Sequence, residues 1–313
     1  MKVLITGCNG FVGKWLIDYL FPMKHELFGL DVQETCTMDT IAYRSMNLLD
    51  PDAITKTISS IKPDLLFHLA AISFLPQADK SPRLALDINI GGTITILEAL
   101  RTVSPETKLL LIGSAKEYND NIYSVNIAEE VSPAPTNFYG ITKYAGEMIG
   151  RQYSRQFGLD IRCTRSFNHT GPGQSPDFVC SDWARQVVLI NHGKQEPYVT
   201  VGDISPAIDF SDVRDVVAAY CAILTRGQSG EVYNVCSGTG VDLSWILSYL
   251  CNKADREIAI KNINEKLRSH KSNKKIIGSH EKLTDHTGWR PTIPFRKTLD
   301  DLYDYWNNQL KDN

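Results

Sequence analysis

The chain has 313 residues with 33 basic and 36 acidic side chains, giving a formal net charge of −3. This near balance excludes a strongly basic protein that holds nucleic acid mainly through phosphate contacts. With 42% hydrophobic and 22% charged residues, the composition is that of an ordinary folded protein. No apolar run approaches the roughly 20 residues of a transmembrane helix, and the amino terminus begins as a strand pattern, unlike a secretory leader. We therefore expect a cytoplasmic protein with no membrane partner.

The seven cysteines and seven histidines do not form a recognisable ligand set. No Cys-x-x-Cys pair occurs, and no two histidines are four positions apart, so the spacings typical of zinc sites are missing. An odd number of scattered cysteines also argues against a disulfide framework. We expect free thiols and no metal.

Short apolar runs alternate with longer amphipathic segments through the first half of the chain. The apolar runs predict buried strands at Val3–Thr6, Glu26–Leu30, Leu65–His68, Leu109–Gly113 and Ile161–Arg165. The segments between them have helical spacing, at Phe11–Leu20, Asp52–Ile61, Arg83–Ala99 and Phe138–Phe157. This alternation predicts an α/β fold with a doubly wound parallel sheet. Ligands of such sheets bind at the carboxyl ends of the strands.

The pattern becomes less regular after about Asn168. Further helices are predicted at Phe178–Ile190, Val213–Thr225, Ser244–Leu250 and Phe295–Leu310, and further strands at Tyr198–Val201 and Glu231–Val235. The polar stretch Lys261–Lys275 predicts a surface loop. We expect residues 1–167 to form one domain, to which residues 209–240 return. Residues 168–313 would then form mainly a smaller, C-terminal substrate-binding lobe.

A glycine-rich motif follows the first predicted strand and opens the first helix. It has the spacing Gly-x-x-Gly-x-x-Gly and comprises Gly7, Asn9, Gly10, Phe11, Val12 and Gly13. Glycines permit a tight turn and the close approach of a pyrophosphate, and the N–H groups of the helix N-terminus attract its charge. Strand, motif and helix together predict a dinucleotide site in a Rossmann-type domain.

Asp31 ends the second predicted strand, where a carboxylate can accept both ribose hydroxyls of adenosine. The same charge would repel a 2′-phosphate, so we expect NAD(H) to be favoured and NADP(H) to be possible. A solvated loop acid is the alternative interpretation. Asn47 and Leu48, after the next short strand region, are weaker candidates for contact with the adenine.

Tyr139 and Lys143 lie one turn apart at the start of a predicted helix. An ammonium beside a phenol favours phenolate, so we expect the pKa of Tyr139 to fall from about 10 toward neutrality. The phenol would then exchange protons readily near neutral pH. Ser114 follows a strand at the same edge and could hold a carbonyl oxygen, although a turn cap is the usual function of such a serine.

In this order, the glycine motif, His68-Leu69-Ala70-Ala71, Asn89, Ser114 and the Tyr139/Lys143 pair resemble the extended short-chain dehydrogenases/reductases. The resemblance covers nearly the whole chain. It implies that Ser114, Tyr139 and Lys143 are catalytic and that Lys143 also binds the nicotinamide ribose. It further implies cofactor contacts from Leu69, Ala70, Ala71, Asn89 and Phe167.

The segment from Arg165 to Gln174 resembles the substrate side of the members that act on GDP-sugars. This resemblance implies nucleotide-sugar contacts from Ser114, Asn168, Val179, Arg185 and Arg268. Paired basic donors suit a diphosphate. Two departures leave the nucleotide open, with GDP favoured and dTDP possible. Ile208 stands where related enzymes carry an arginine, and Ser269 replaces the proline that usually follows Arg268.

The residues after Ser114 favour one reaction among several. Dehydratases of this fold carry an acid pair there, whereas this chain has Ala115 and Lys116; Glu117 comes one residue late and would face the other way in an extended segment. Ala115 also argues against C3/C5 epimerisation. We expect a reductase that delivers hydride from NAD(P)H to C4 of a nucleoside-diphosphate 4-keto-6-deoxyhexose. For a GDP-linked substrate the product would be GDP-D-rhamnose or its C4 epimer.

Two alternatives stay open at this point. A nucleotide-sugar 4-epimerase with bound NAD would use the same three residues, and a catalytically silent nucleotide sensor could share the fold. The resemblance also implies a homodimer, in which the helices over Arg83–Ala99 and Phe138–Phe157 form a four-helix contact. Tyr144, Met148, Ile149 and Tyr153 would supply that surface unless they pack on the sheet.

Overall fold

The computed structural model describes residues 1–119, 124–262 and 275–311. Its strands are β1 (Lys2–Thr6), β2 (Glu26–Asp31), β3 (Ala42–Ser45), β4 (Leu65–His68), β5 (Lys108–Ser114), β6 (Ser124–Ile127), β7 (Ile161–Ser166), β8 (Asn168–Thr170), β9 (Tyr198–Val201), β10 (Ala207–Asp212), β11 (Val232–Val235), β12 (Gly240–Asp242), β13 (Ala259–Asn262) and β14 (Lys275–Gly278). Its helices are α1 (Phe11–Leu20), α2 (Pro51–Ile61), α3 (Leu75–Lys80), α4 (Pro82–Leu86), α5 (Gly92–Val103), α6 (Phe138–Phe157), α7 (Val179–Asn191), α8 (Val213–Arg226), α9 (Leu243–Cys251), α10 (Glu281–Thr287) and α11 (Phe295–Lys311).

Seven parallel strands form the main sheet, in the order β11-β7-β5-β4-β1-β2-β3. The central strands are continuous apolar runs because both of their faces are covered; Leu109 and Leu110 of β5, for example, are fully buried. The predicted doubly wound parallel sheet is therefore confirmed. Because all seven strands point the same way, their carboxyl ends meet at one edge.

Each face of the sheet has its own hydrophobic core. On one face, α1 and α8 pack against the strands through side chains such as Leu16 and Tyr220. On the other face, α2, α5 and α6 cover the sheet, and Ile58 and Leu97 are fully buried. Asp50 caps α2, where its carboxylate accepts the Ala53 N–H at 3.0 Å.

The predicted helix over Arg83–Ala99 is interrupted. It consists of α4, a π-helical segment at Asp87–Gly91 and α5. Within the π segment, Asn89 is buried and its amide pairs with both backbone groups of Ile72, at 2.8 and 3.1 Å. Apolar spacing alone could not show this break, because it depends on a contact 17 residues away along the chain.

The later elements build a smaller part of the molecule with a third core. Helices α7, α9 and α11 pack together with β9 and β10 around residues such as Trp183 and Leu299. Strands β6, β8, β10, β12 and β14 form a second sheet, and β9 pairs with β13. The loop predicted at Lys261–Lys275 is wrong at its two ends, which lie in β13 and β14; residues 263–274 lie outside the described residues.

Helix α6 lies unusually close to the main sheet and to the turn after β5. A β-carbon on Gly140 would lie 2.1 Å from the backbone oxygen of Lys116. Gly146, in the same helix, has no atom within 4 Å of the corresponding position. The helix can therefore reach the strand end only where it carries glycine. No helix in the described residues has the length and apolar character that a bilayer crossing requires.

We predict opposite effects on stability for alanine at these two glycines. Gly140→Ala should lower the free energy of unfolding by ~1–3 kcal/mol because the new methyl group meets backbone. Gly146→Ala should leave it unchanged or raise it by up to ~1 kcal/mol, since alanine favours helix. Urea denaturation of both variants measures the difference, and equal stability of the two would contradict the close approach.

Candidate active site

The predicted site residues lie at the carboxyl edge of the main sheet. The glycine turn follows β1, Asp31 ends β2, Leu69 follows β4, Ser114 ends β5 and Phe167 follows β7. These five strand ends thus meet at one edge of the sheet, although the residues are scattered over half of the chain. This is the place where open parallel sheets bind ligands.

The glycine turn leaves no room for a side chain at Gly7 or Gly13. Gly7 has φ of 71°, and a β-carbon there would lie 2.7 Å from the backbone nitrogen of Ala70. A β-carbon on Gly13 would lie 2.5 Å from the carbonyl oxygen of Gly7. The turn therefore presents bare backbone at the start of α1. Such a cradle fits the pyrophosphate of a dinucleotide.

Asn9 joins the glycine turn to Asp31. Its backbone N–H donates to Asp31 Oδ2 at 3.1 Å, and its side-chain nitrogen donates to the carbonyl of Thr35 at 2.9 Å. Its Oδ1 atom is buried without a hydrogen-bond partner. A buried unpaired acceptor is costly, so the turn offers a place for a ligand's donor. These observations fit an adenosine dinucleotide.

The other predicted cofactor residues contribute in different ways. Ala70 N–H donates to Thr6 Oγ1 at 3.3 Å, which holds the Leu69–Ala71 loop against β1. Asn89 holds the next residue of that loop, Ile72, as described above. Phe11 begins α1 and stacks on His169, with ring centroids 6.3 Å apart.

Three predicted residues have side chains that belong to the core or to a local turn. Leu48 packs in the core between α2 and α5. Asn47 accepts the Leu49 N–H at 3.0 Å, and the buried ring of Phe167 lies in a small core with Tyr118. Contact with the cofactor from Asn47, Leu48 and Phe167 stays a prediction.

Ser114, Tyr139 and Lys143 come together as predicted. Ser114 lies at the turn that α6 contacts, and its hydroxyl acts on the nearby Tyr139 phenol. Lys143 Nζ donates to the carbonyl of Ile112 at 2.8 Å and lies 5.9 Å from the centroid of the Tyr139 ring. Ser114 also caps the short 3₁₀ turn that follows β5, and its function in holding a carbonyl oxygen stays a prediction.

The expected fall in the Tyr139 pKa is wrong. Burial raises the pKa of Tyr139 to about 12, with a smaller opposing effect from the Ser114 hydroxyl. Burial also lowers the pKa of Lys143 to about 8. The expectation failed because it treated both groups as solvated. The phenol is therefore fully protonated at neutral pH.

Glu117 is a buried residue that the sequence interpretation misplaced. It ends the 3₁₀ turn at Ala115–Glu117, not an extended segment, and it accepts the Ser114 N–H at 2.7 Å. Beside it, Arg165 of β7 forms two hydrogen bonds to Glu147 of α6, at 2.8 and 2.9 Å. Tyr139, Lys143 and Glu147 are spaced at four-residue intervals, and this spacing could have indicated that Glu147 lies on the same helix face as the other two.

The predicted substrate residues are only partly grouped. Asn168 begins β8 and is exposed, and Val179 begins α7 and is half-buried. The Arg185 guanidinium lies 5.7 Å from the centroid of the Trp306 ring of α11. Ile208 lies inside the second sheet, opposite Ile276 and Val241. Arg268 and Ser269 lie outside the described residues.

The fold and this site define an extended short-chain dehydrogenase/reductase of the NAD-dependent epimerase/dehydratase type. Within that class the chain belongs to the family described as GDP-mannose 4,6 dehydratase, whose model matches residues 4–302. The match therefore spans both the main sheet and the smaller part of the molecule.

Relatives similar over their whole length refine this placement. The chain is 33% identical over 312 residues to GDP-6-deoxy-D-mannose reductase of Pseudomonas aeruginosa, covering 99% of each chain. It is 28% identical to GDP-6-deoxy-D-talose 4-dehydrogenase of Aggregatibacter actinomycetemcomitans, covering 97% of each. A solved structure titled RMD from Pseudomonas aeruginosa complexed with NADPH is 33% identical, with a TM-score of 0.87 over 98% of this chain and 99% of that one.

Proposed function

We propose that the protein reduces the C4 ketone of a nucleoside-diphosphate 4-keto-6-deoxyhexose with NAD(P)H, and that GDP-4-keto-6-deoxy-D-mannose is its preferred substrate. The juxtaposition of Ser114, Tyr139 and Lys143 at the sheet edge that also carries the glycine turn is the observation that carries the chemistry. The names of the two relatives above support a GDP-linked 6-deoxyhexose and a reaction at C4. The product is GDP-D-rhamnose or its C4 epimer.

The glycine turn and Asn9 would hold the pyrophosphate and adenosine end of the cofactor, with Asp31 at the ribose. Lys143 would bind the nicotinamide ribose. When bound, NAD(P)H supplies the hydride. Because these groups come from β1, β2 and α6, the packed sheet fixes their relative positions.

Ser114 and Tyr139 then act on the oxygen at C4. The Ser114 hydroxyl holds the ketone oxygen, and Tyr139 Oη donates its proton to that oxygen as negative charge develops on it. A protonated phenol is the form required for reduction, which agrees with the raised pKa of Tyr139. The nearby Lys143 ammonium stabilises the phenolate that remains.

The substrate-binding part of the proposal depends on the smaller part of the molecule. We assign the sugar and diphosphate to the lobe formed mainly by residues 168–313, with Asn168, Val179, Arg185 and Arg268 as contacts. Strand β11, within residues 209–240, pairs with β7 in the main sheet. This return of the chain supports a lobe that is interleaved with the cofactor domain.

We predict that the purified protein oxidises one NAD(P)H for each GDP-4-keto-6-deoxy-D-mannose that it consumes. Proton NMR of the product should show a new hydrogen at C4 and retention of the C6 methyl group, and it also gives the C4 configuration. A dTDP-linked keto sugar and UDP-glucose serve as comparison substrates. Faster turnover of the dTDP compound would show that dTDP, and not GDP, is the preferred nucleotide of the substrate. Epimerisation of UDP-glucose without net oxidation of NAD(P)H would contradict the proposed reductase activity.

Removal of the proton donor should abolish this reaction. We predict that Tyr139→Phe lowers kcat by at least ~100-fold with little change in the affinity for NAD(P)H, because the variant lacks only the transferred proton. Tyr249→Phe is the matched control, since that hydroxyl bonds Asp300 on the smaller part of the molecule. Wild-type turnover by Tyr139→Phe would exclude Tyr139 as the donor.

Asp31 should make NADH the better cofactor. Its carboxylate lies at the end of β2 against the glycine turn, where a 2′-phosphate would meet like charge. We predict a higher kcat/KM with NADH than with NADPH, and a change of about tenfold toward NADPH in Asp31→Ser, equivalent to ~1.4 kcal/mol. Equal or better efficiency of the wild type with NADPH would contradict this assignment.

We also propose that the protein is a homodimer formed through α5 and α6. Both helices carry exposed apolar side chains, including Ile94 at 37%, Ile141 at 43% and Met148 at 54% exposure. Tyr153 and Ile149 instead turn partly into the core between helix and sheet. The exposed set would be covered by a second copy of the same surface.

Light scattering after gel filtration should give twice the chain mass of 35.1 kDa. Ile141→Glu combined with Met148→Glu should give the mass of one chain, because four charges would face one another across the two-fold contact. Ile260→Glu, at an exposed apolar residue of β13, is the matched control. A wild-type protein that elutes as a single chain at micromolar concentration would exclude the dimer.

A further inference from the structure

Glu117 is a buried carboxyl group that the proposed reaction does not use. Its side chain is fully buried, and its Oε1 accepts the Ser114 N–H at 2.7 Å. The chain leaves room for this contact, because a β-carbon on Gly113 would lie 2.3 Å from the same oxygen. Glu117 therefore fixes the backbone from which the Ser114 hydroxyl projects.

The second oxygen of Glu117 has no hydrogen-bond donor. Oε2 is buried without a partner, and the nearest cation atom, Arg165 Nε, is 3.6 Å away. That Arg165 nitrogen already donates to Glu147 Oε2 at 2.8 Å. Glu117 Oε2 and Glu147 Oε2 thus flank the same Arg165 nitrogen. Two carboxyl groups that face one another can pair only if one of them carries a proton.

The charges around the pair show which carboxyl group is neutral. Arg165 bonds both oxygens of Glu147 and also donates to Tyr118 and to the carbonyl of Glu129. Its single charge is thus balanced by Glu147. Arg151 also lies 3.6 Å from Glu147 Oε1, but its side chain is 44% exposed and its charge is largely solvated. A second buried carboxylate at Glu117 would have only the already paired Arg165, 3.6 Å away, to compensate it, which is costly in the interior. In agreement, burial and the charge of Glu147 raise the pKa of Glu117 well above its ordinary value.

We propose that Glu117 is a positioning residue that carries a proton at neutral pH, donating from Oε2 to Glu147 while Oε1 holds the backbone of Ser114. This inference rests on the proposed function, in which Ser114 binds the ketone oxygen. A neutral group at this place positions Ser114 without adding negative charge beside the proton donor. An ionised Glu117 would instead make Tyr139 a weaker acid, because its charge raises the pKa of the phenol.

Two substitutions of Glu117 test whether a neutral side chain at this place positions Ser114. Glu117→Gln keeps an acceptor for Ser114 and a donor for Glu147, so we expect kcat within about threefold of the wild type and an unchanged pH profile. Glu117→Leu lacks both and should lower kcat by roughly 10- to 100-fold, with the KM for NAD(P)H unchanged. A Gln variant as impaired as Leu, or one with a shifted pH profile, would overturn the proposal, as would a fully active Leu variant.

Glu129→Leu is the matched control for lost stability. Glu129 lies on the other side of Arg165, and its carboxylate accepts the N–H of Asn234 at 2.6 Å without contacting Ser114. We expect this variant to be destabilised to a similar degree, with kcat unchanged at a temperature at which it is folded. A comparable loss of kcat in Glu129→Leu would show that the effect of Glu117→Leu is general destabilisation.

Infrared spectroscopy tests the proton without any substrate. The wild-type protein at neutral pH should show the carbonyl band of a protonated carboxylic acid, and the band should be missing from Glu117→Gln. Absence of the band from the wild type would overturn the proposal. Because this readout needs no turnover, it also decides the state of Glu117 if the keto sugar proves not to be the substrate.

Discussion

The buried ion pair between Arg165 and Glu147 is the interaction on which the site depends. It joins β7 to α6 with two charge-assisted hydrogen bonds, at 2.8 and 2.9 Å. The remaining Arg165 nitrogen donates to Tyr118 at 3.0 Å, which connects the pair to the segment after β5. Removal of one partner of such a pair typically costs ~3–5 kcal/mol because the other charge stays buried. The pair therefore determines where α6 sits on the sheet.

The position of α6 in turn determines the chemistry. Tyr139, Lys143 and Glu147 share one face of this helix, so a contact that fixes Glu147 also fixes the ammonium one turn earlier and the phenol two turns earlier. Gly140 lets the same helix touch the turn after β5. Ser114 lies at the start of that turn, so a single close packing brings the serine and tyrosine hydroxyl groups together.

The parts of the fold set by local patterns could be predicted from the sequence. Strand β1, the glycine turn and α1 lie within the first 20 residues, and the local sequence of each favours the same strand–turn–helix unit. Asp31 was found because strand length and chain direction place it at a known edge. The π segment around Asn89 and the mixed second sheet depend on partners far along the chain, for which periodicity carries no signal. Glu117 was misplaced for the same reason, since its surroundings come from β7 and α6.

The sequence also did not reveal how far each side chain is removed from water. This removal explains the unusual pKa of Lys143. Its pKa in the folded protein is about 8, below the ordinary value of 10.5, because burial disfavours its charge. Between these two pH values the unfolded chain binds more protons than the folded one, so this group's contribution to stability increases as the pH rises. At neutral pH the lysine charge thus opposes folding. A half-buried cation that opposes folding, beside the phenol that would lose a proton in the proposed reaction, fits a catalytic function better than a packing one.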